Sequence, residues 1–127
     1  MEKEPTRVML VEDHTILRHG LRSLLTASGN MEIVGEAGDG QAAIRRILDT
    51  EPDLVLLDLM MPDMDGWQVY QHLKEDESTR DIPVIVVTAK VQSIDKVLGL
   101  QVAKVDDYIT KPFRPEELSE RVKYVLS

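Results

Sequence analysis

Five apolar runs that alternate with five amphipathic stretches predict an α/β domain, a parallel sheet wound on both faces by helices. Three observations carry this prediction. The runs are mostly continuous rather than alternating, as expected of strands buried on both faces. The stretches between them repeat leucine, isoleucine and valine at helical spacing. Turn residues fall at the joins. Short connections between successive βα units then imply right-handed crossovers in a doubly wound sheet.

The first strand, β1, is expected near residues 7–12, where Arg7-Val8-Met9-Leu10-Val11 runs into Glu12-Asp13. Helix α1 follows over 14–28, with Leu17, Leu21, Leu24 and Leu25 on one face, and Ser28-Gly29-Asn30 supplies the turn into β2, near 32–36. Asp39-Gly40 is turn chemistry before α2, over 41–50, whose apolar face holds Ala43, Ile44, Ile47 and Leu48. Leu54-Val55-Leu56-Leu57 runs into Asp58 and defines β3, near 54–58. Pro62-Asp63-Met64-Asp65-Gly66 is a loop, followed by α3 over 66–76. β4 is expected near 82–88, where Val84-Ile85-Val86-Val87 runs into Thr88, then α4 over 92–103 and β5 near 106–111, where Tyr108-Ile109-Thr110 runs into Lys111-Pro112. The apolar spacing is less regular in α3 and α4 than in the other helices. Pro115, Glu116 and Glu117 suit the first turn of α5, over 115–126, which carries Leu118, Val122, Val125 and Leu126. No repeat, low-complexity tract or internal linker interrupts the pattern, so residues 1–127 are expected to form one domain with an ordered core of roughly 6–126.

A chain of 127 residues is long enough to bury roughly two thirds of its unfolded surface. Hydrophobic residues make up 43% and charged residues 30%, as in soluble globular proteins. No stretch approaches the ~20 apolar residues needed to span a bilayer, and Met1-Glu2-Lys3-Glu4-Pro5 lacks the apolar core of a secretory signal. The absence of cysteine excludes disulfides and thiolate metal sites. A cytoplasmic protein without membrane attachment is expected. A net charge of −8 works against nucleic-acid binding by this domain, which would need Lys and Arg against phosphates. It suits a divalent cation, although solubility alone accounts for such a balance.

Four strands end in polar residues that form one chemical set. If the strands are parallel, Glu12, Asp13, Asp58, Thr88 and Lys111 meet along one edge of the sheet, where open α/β sheets bind ligands. Glu12 and Asp13 offer oxygen ligands to a hard cation, while Asp13 alone would serve equally as a cap for α1. Asp58 closes a buried run, where an ionised group is costly unless paired or metal-bound. Facing a cation and a lysine, such a carboxylate is set up to attack phosphorus and form an acyl phosphate, whereas singly it is a polar stop. Thr88 offers a hydroxyl to a phosphoryl oxygen, Ala89 leaves room for one, and Lys111 offers a point charge. The Met60 carbonyl is a further candidate ligand. Singly, Thr88 reads as β-propensity and Lys111 as a solvated strand end. The joint placement favours chemistry.

These residues resemble the receiver domain of two-component response regulators, over essentially the whole chain. The resemblance rests on Val11-Glu12-Asp13, on Asp58-Leu59-Met60-Met61-Pro62-Asp63-Met64-Asp65-Gly66, on Val87-Thr88-Ala89 and on Asp106-Asp107-Tyr108-Ile109-Thr110-Lys111-Pro112-Phe113. It implies a flavodoxin-like (βα)5 fold with strand order 2-1-3-4-5, for which a receiver is itself a standard illustration. It also implies that Asp58 accepts a phosphoryl group from a sensor histidine kinase or phosphotransfer protein. Glu12, Asp13, Asp58 and the Met60 carbonyl would hold Mg2+ (or Mn2+), and Thr88, Ala89 and Lys111 the phosphoryl oxygens. Thr88 and Tyr108 would act as the switch, and Lys111-Pro112 would be joined by a cis peptide. The α4-β5-α5 face would control an output domain beyond Ser127 or a partner. Such a protein modifies only itself and is no turnover enzyme on external substrates.

The chain departs from the family pattern in two places. Lys104-Val105 stands where Gly-Ala is usual before the paired aspartates. Winged-helix regulators form homodimers through charged positions on α4, β5 and α5. Asp107, Glu117 and Arg121 fit that pattern, but Leu98 replaces the usual arginine. Arg18-His19-Gly20-Leu21-Arg22 and Val34-Gly35-Glu36-Ala37 resemble the helix-turn-helix branch instead. Tyr108 also reads as core filler, and His14, His19 and His72 as scattered surface positions. An aspartate-nucleophile phosphohydrolase would carry its general acid two residues after Asp58, where this chain has Met60. A constitutive interaction module would have lost an acid, Thr88 or Lys111, and a flavin module would need a hydroxyl-rich phosphate cradle.

Overall fold

A computed structural model describes residues 5–27, 30–58, 66–88, 107–110 and 115–126. Along these residues run β1 (Thr6–Val11), α1 (Thr15–Ala27), β2 (Met31–Ala37), α2 (Gly40–Thr50), β3 (Leu54–Asp58), α3 (Gly66–Glu75), β4 (Val84–Thr88), β5 (Asp107–Thr110) and α5 (Pro115–Leu126). The expected α4, over 92–103, lies outside the described residues. The strands form one sheet in the order β2-β1-β3-β4-β5, with parallel pairing throughout. Strands β1, β3 and β4 lie between two apolar layers and contribute side chains to both. Met9, Val11, Val55, Leu57, Val84 and Val86 pack with Ala43 and Ile47 of α2 and Val69, Tyr70 and Leu73 of α3. Val8, Leu10, Leu54, Leu56, Ile85, Val87 and Ile109 pack with Leu21 and Leu25 of α1 and Leu118 and Val122 of α5. Alternate residues of one strand thus enter opposite cores, which explains why β1, β3 and β4 read as unbroken apolar runs.

Strand β2 departs from regular pairing. Val8 pairs with Ile33 but Met9 with Gly35, so Val34 is extra. The bulge falls where a Cβ on Gly35 would stand 2.9 Å from Met9 Sδ, a close approach that glycine makes feasible. Its consequence is a change of face. Met31 and Ile33 border the α1 layer, Ala37 enters the α2 layer, and Glu36 is turned toward Arg18 and Arg22 of α1.

Helix ends follow local chemistry. The Asp39 side chain accepts a hydrogen bond from Ala42 N at 2.8 Å and caps α2. At its other end Glu51 adopts φ 48°, a left-handed C-cap, and its N–H donates to Ile47 O at 2.9 Å. β4 begins at Val84, later than expected, because Pro83 has no N–H to give a ladder. Leu48 and Leu126, expected on apolar faces, are 43% and 39% exposed. Each directly follows a residue that packs on the core, Ile47 or Val125, and so is turned about 100° away along the helix to the margin of the apolar stripe. Among the described residues no helix is long and apolar enough to cross a membrane.

Candidate functional site

The carboxyl ends of β1 and β3 lie side by side. Val11 pairs with Leu57, which places Glu12 and Asp58 next to each other along the sheet edge. Asp58 in turn pairs with Val87, and Thr88 pairs with Thr110. The backbone therefore brings Glu12, Asp58 and Thr88 to consecutive strand ends. Tyr108 pairs with Val86, two residues before the end of β5. Met60, Ala89, Lys111 and Pro112 lie outside the described residues.

Burial singles out two acids. Glu12 is 1% exposed and Asp58 3% exposed, and they are the only buried carboxylates among the described residues. Acidic side chains are almost never this buried without partners or a metal, and both sit at this one edge. Glu12, Asp13 and His14 fill the turn between β1 and α1. The Glu12 N–H donates to Ala37 O at 3.0 Å, and the His14 carbonyl accepts from Arg18 N at 2.8 Å, starting the α1 ladder. Asp13 Oδ1 is buried and receives no hydrogen bond from the described residues, so that oxygen does not cap α1. His14 Nδ1 lies 3.4 Å from Asp13 Oδ1 and 3.5 Å from Glu12 Oε1. One ligand atom from each of the three residues fits within 4.8 Å.

The donor set fits a hard divalent cation. Carboxylate oxygens of Glu12 and Asp13 converge, one of them buried with no hydrogen bond received, beside the buried Asp58. His14 is exposed, as its sequence context suggested, but its closeness to the acid pair was not anticipated. Immediate adjacency to Glu12-Asp13 was the available signal. Sequence reasoning also missed Arg18, which reaches this turn from α1. Glu117 and Arg121 are exposed on α5, and Asp107 is the first residue of β5, paired with Ile85.

A doubly wound sheet with an acid set at its carboxyl edge defines a class of α/β signalling and binding domains. Within that class, a family model described as the response regulator receiver domain matches residues 8–123. The chain belongs to this family, the receiver domains of two-component systems. It is 42% identical over 120 residues to the phosphate regulon transcriptional regulatory protein PhoB of Escherichia coli K12, covering 94% of this chain and 51% of PhoB. It is 40% identical over 123 residues to the DNA-binding response regulator MtrA of Mycobacterium tuberculosis H37Rv, covering 97% and 51% respectively. A crystal structure of a LuxR-family DNA-binding response regulator from Staphylococcus aureus superposes with a TM-score of 0.84 at 30% identity, over 96% of this chain and 99% of that one. The chain spans about half the length of the curated relatives it matches.

Proposed function

We propose that Asp58 is the phosphoacceptor of a receiver domain formed by residues 1–127, with an ordered core of roughly 6–126 and the complete flavodoxin-like (βα)5 fold. The observation that carries this reading is the burial of Asp58 at the end of β3, beside the Glu12–Asp13 turn at the end of β1. Glu12, Asp13, Asp58 and the Met60 carbonyl would hold Mg2+ or Mn2+. When bound, the ion offsets the negative charge of the carboxylates and of phosphoryl oxygens. The Asp58 carboxylate oxygen attacks phosphorus, and a P–O bond forms as the donor's P–N bond breaks, its electron pair leaving on the imidazole of a sensor histidine kinase or phosphotransfer protein. Thr88, Ala89 and Lys111 receive the phosphoryl oxygens.

Occupancy of Asp58 would draw on Thr88 and Tyr108 to shift the α4-β5-α5 face between two pre-existing arrangements. That face would address an output domain or a partner, with a homodimer through Asp107, Glu117 and Arg121 as one candidate. The names of PhoB and MtrA support a transcriptional output, carried by an output domain or a partner. The receiver itself would contact neither nucleic acid nor membrane, act in the cytoplasm and turn over no external substrate. Intact mass after incubation with acetyl phosphate and Mg2+ tests the reading. A gain of one phosphoryl group, absent from Asp58→Ala, is expected, and a parent protein that gains none refutes it.

A further inference from the structure

Arg18 lies outside the acid set yet holds its backbone. Its Nη1 donates to the Glu12 carbonyl at 3.0 Å, and its Nε stands 3.5 Å from Glu36 Oε1. Arg22, one turn further along α1, pairs with the other Glu36 oxygen. The Glu12 N–H is held by Ala37 O at 3.0 Å. Both polar groups of the Glu12 backbone are therefore fixed from the β2 side of the sheet, directly or through Arg18.

The carbonyl that Arg18 grips belongs to the peptide joining Glu12 to Asp13. That unit is planar, so fixing its oxygen fixes the direction in which the chain leaves for Asp13. We infer that Arg18 is a positioning residue that orients the Glu12–Asp13 peptide and thereby sets the divalent-cation affinity of the acid pocket, without touching the ion. This role presupposes the metal-binding reading proposed above. Two effects of Arg18 oppose each other, and their balance decides the sign. Its positive charge alone would repel a cation. That charge is paired with Glu36, so its loss changes the field at the pocket less than the loss of the peptide clamp changes its geometry.

Gly38 offers a way to disturb the clamp without deleting the charge. A Cβ there would stand 2.8 Å from Arg18 Nη1. The guanidinium has room to yield, because Arg18 lines a cavity of about 320 Å³ together with His19, Glu36, Asp39 and Arg46. Gly38→Ala should therefore push it off the Glu12 carbonyl while the fold persists.

Mn2+ binding to the whole chain, read from the EPR signal of the free ion, tests the inference. Loss of such an outer support typically weakens metal binding by 10-fold or more, so Arg18→Met is expected to raise the Mn2+ dissociation constant about tenfold. Gly38→Ala should shift it the same way, and Arg18→Lys should rescue it only in part, having a single donor head in place of a fork. Acetyl-phosphate labelling should need more Mg2+ to reach the parent's plateau. A dissociation constant that is unchanged or tighter in Arg18→Met overturns the role, as does an unchanged one in Gly38→Ala if Arg18→Met fails to fold. A parent that neither binds Mn2+ nor labels overturns the underlying reading instead, so the two failures are distinct.

Discussion

Replacing Arg7 by Met should destabilise the domain while leaving its phosphorylation untouched. Arg7 sits near the start of β1, where its Nη2 donates to Thr50 O at 2.7 Å and its Nη1 to Glu51 O at 2.9 Å. Both acceptors are carbonyls at the C-terminal end of α2 that the helix itself leaves unpaired. The Arg7 backbone is tied to the same junction, its N–H to Asp53 Oδ2 at 2.9 Å and its carbonyl to Asp53 N at 2.8 Å, and those bonds survive the substitution. A hydrogen bond from a charged donor is worth about 1.5–3 kcal/mol when shielded. Only the Thr50 bond is partly buried, and the exposed Glu51 bond contributes little against water. A cation at a helix C-terminus adds about 0.3–1 kcal/mol. Methionine keeps most of the apolar stem, so the expected cost is about 2 kcal/mol. In a domain of this size that lowers the melting temperature by roughly 8 °C. Urea unfolding followed by far-UV circular dichroism should show a lower midpoint with an unchanged slope. Labelling of Asp58 by acetyl phosphate should match the parent, because Arg7 stands at the amino edge of the sheet. A loss below about 0.5 kcal/mol, the range of an ordinary surface substitution, would refute the clamp. Water would then serve the two carbonyls as well as Arg7 does.

Other perturbations read different parts of the fold. Thr79 is buried, and its Oγ1 donates to Leu73 O at 2.6 Å near the end of α3. Thr79→Val should cost about 1–2 kcal/mol by urea unfolding, because the carbonyl loses its partner at constant shape. The Asp76 carboxyl is held below its ordinary value of 3.8, first by the Ser78 hydroxyl and then by the Ser78 N–H. A lowered folded value stabilises the fold above the unfolded value, and that contribution fades as pH falls through the folded one. Ser78→Ala should accordingly flatten the acid limb of the stability profile and move the Asp76 NMR titration upward. Mg2+ should raise the unfolding free energy read from urea melts by about 2.7 kcal/mol at a hundredfold excess over its dissociation constant, and Asp13→Asn should shrink that gain.

How much of this was legible depended on whether the cause lay within one segment. β3 was readable to the residue because Leu54–Leu57 enter both cores and Asp58 ends the run. Glu12 and Asp58 stood out for the same reason, as charged residues closing apolar strands. The β2 bulge was not readable, although Gly35 was its signal, because the need for glycine arises from Met9 on the neighbouring strand. Leu48 followed the helical pattern, yet the core takes Ala43 and Ile47 and leaves Leu48, at the margin of the same stripe, 43% exposed. Arg18 and Glu36 read as subfamily flavour. Their meeting requires both the docking of α1 on β2 and the bulge that turns Glu36 toward it.

These placements divide the sheet into two edges with different physical demands. At the amino edge, around Arg7 and Asp53, every named polar contact joins a donor to an acceptor and helps hold α2 and β3 to β1. At the carboxyl edge, three carboxylates crowd one turn and one strand end, two of them buried. Burial of like charges costs stability unless something offsets them, and hydrogen bonds to the Glu12 backbone fix geometry without removing that charge. An edge in this condition responds strongly to any change in local charge. A divalent cation held there, as proposed, would relax it, and turning the Asp58 carboxylate into an acyl phosphate would add further negative oxygens in need of new partners. If Arg7 and its contacts carry the stability, substitutions at the carboxyl edge should alter metal affinity and labelling without unfolding the domain. Asp58→Asn and Asp13→Asn should then unfold at urea concentrations no lower than the parent's in the absence of metal, since each removes one charge from a crowded set of carboxylates.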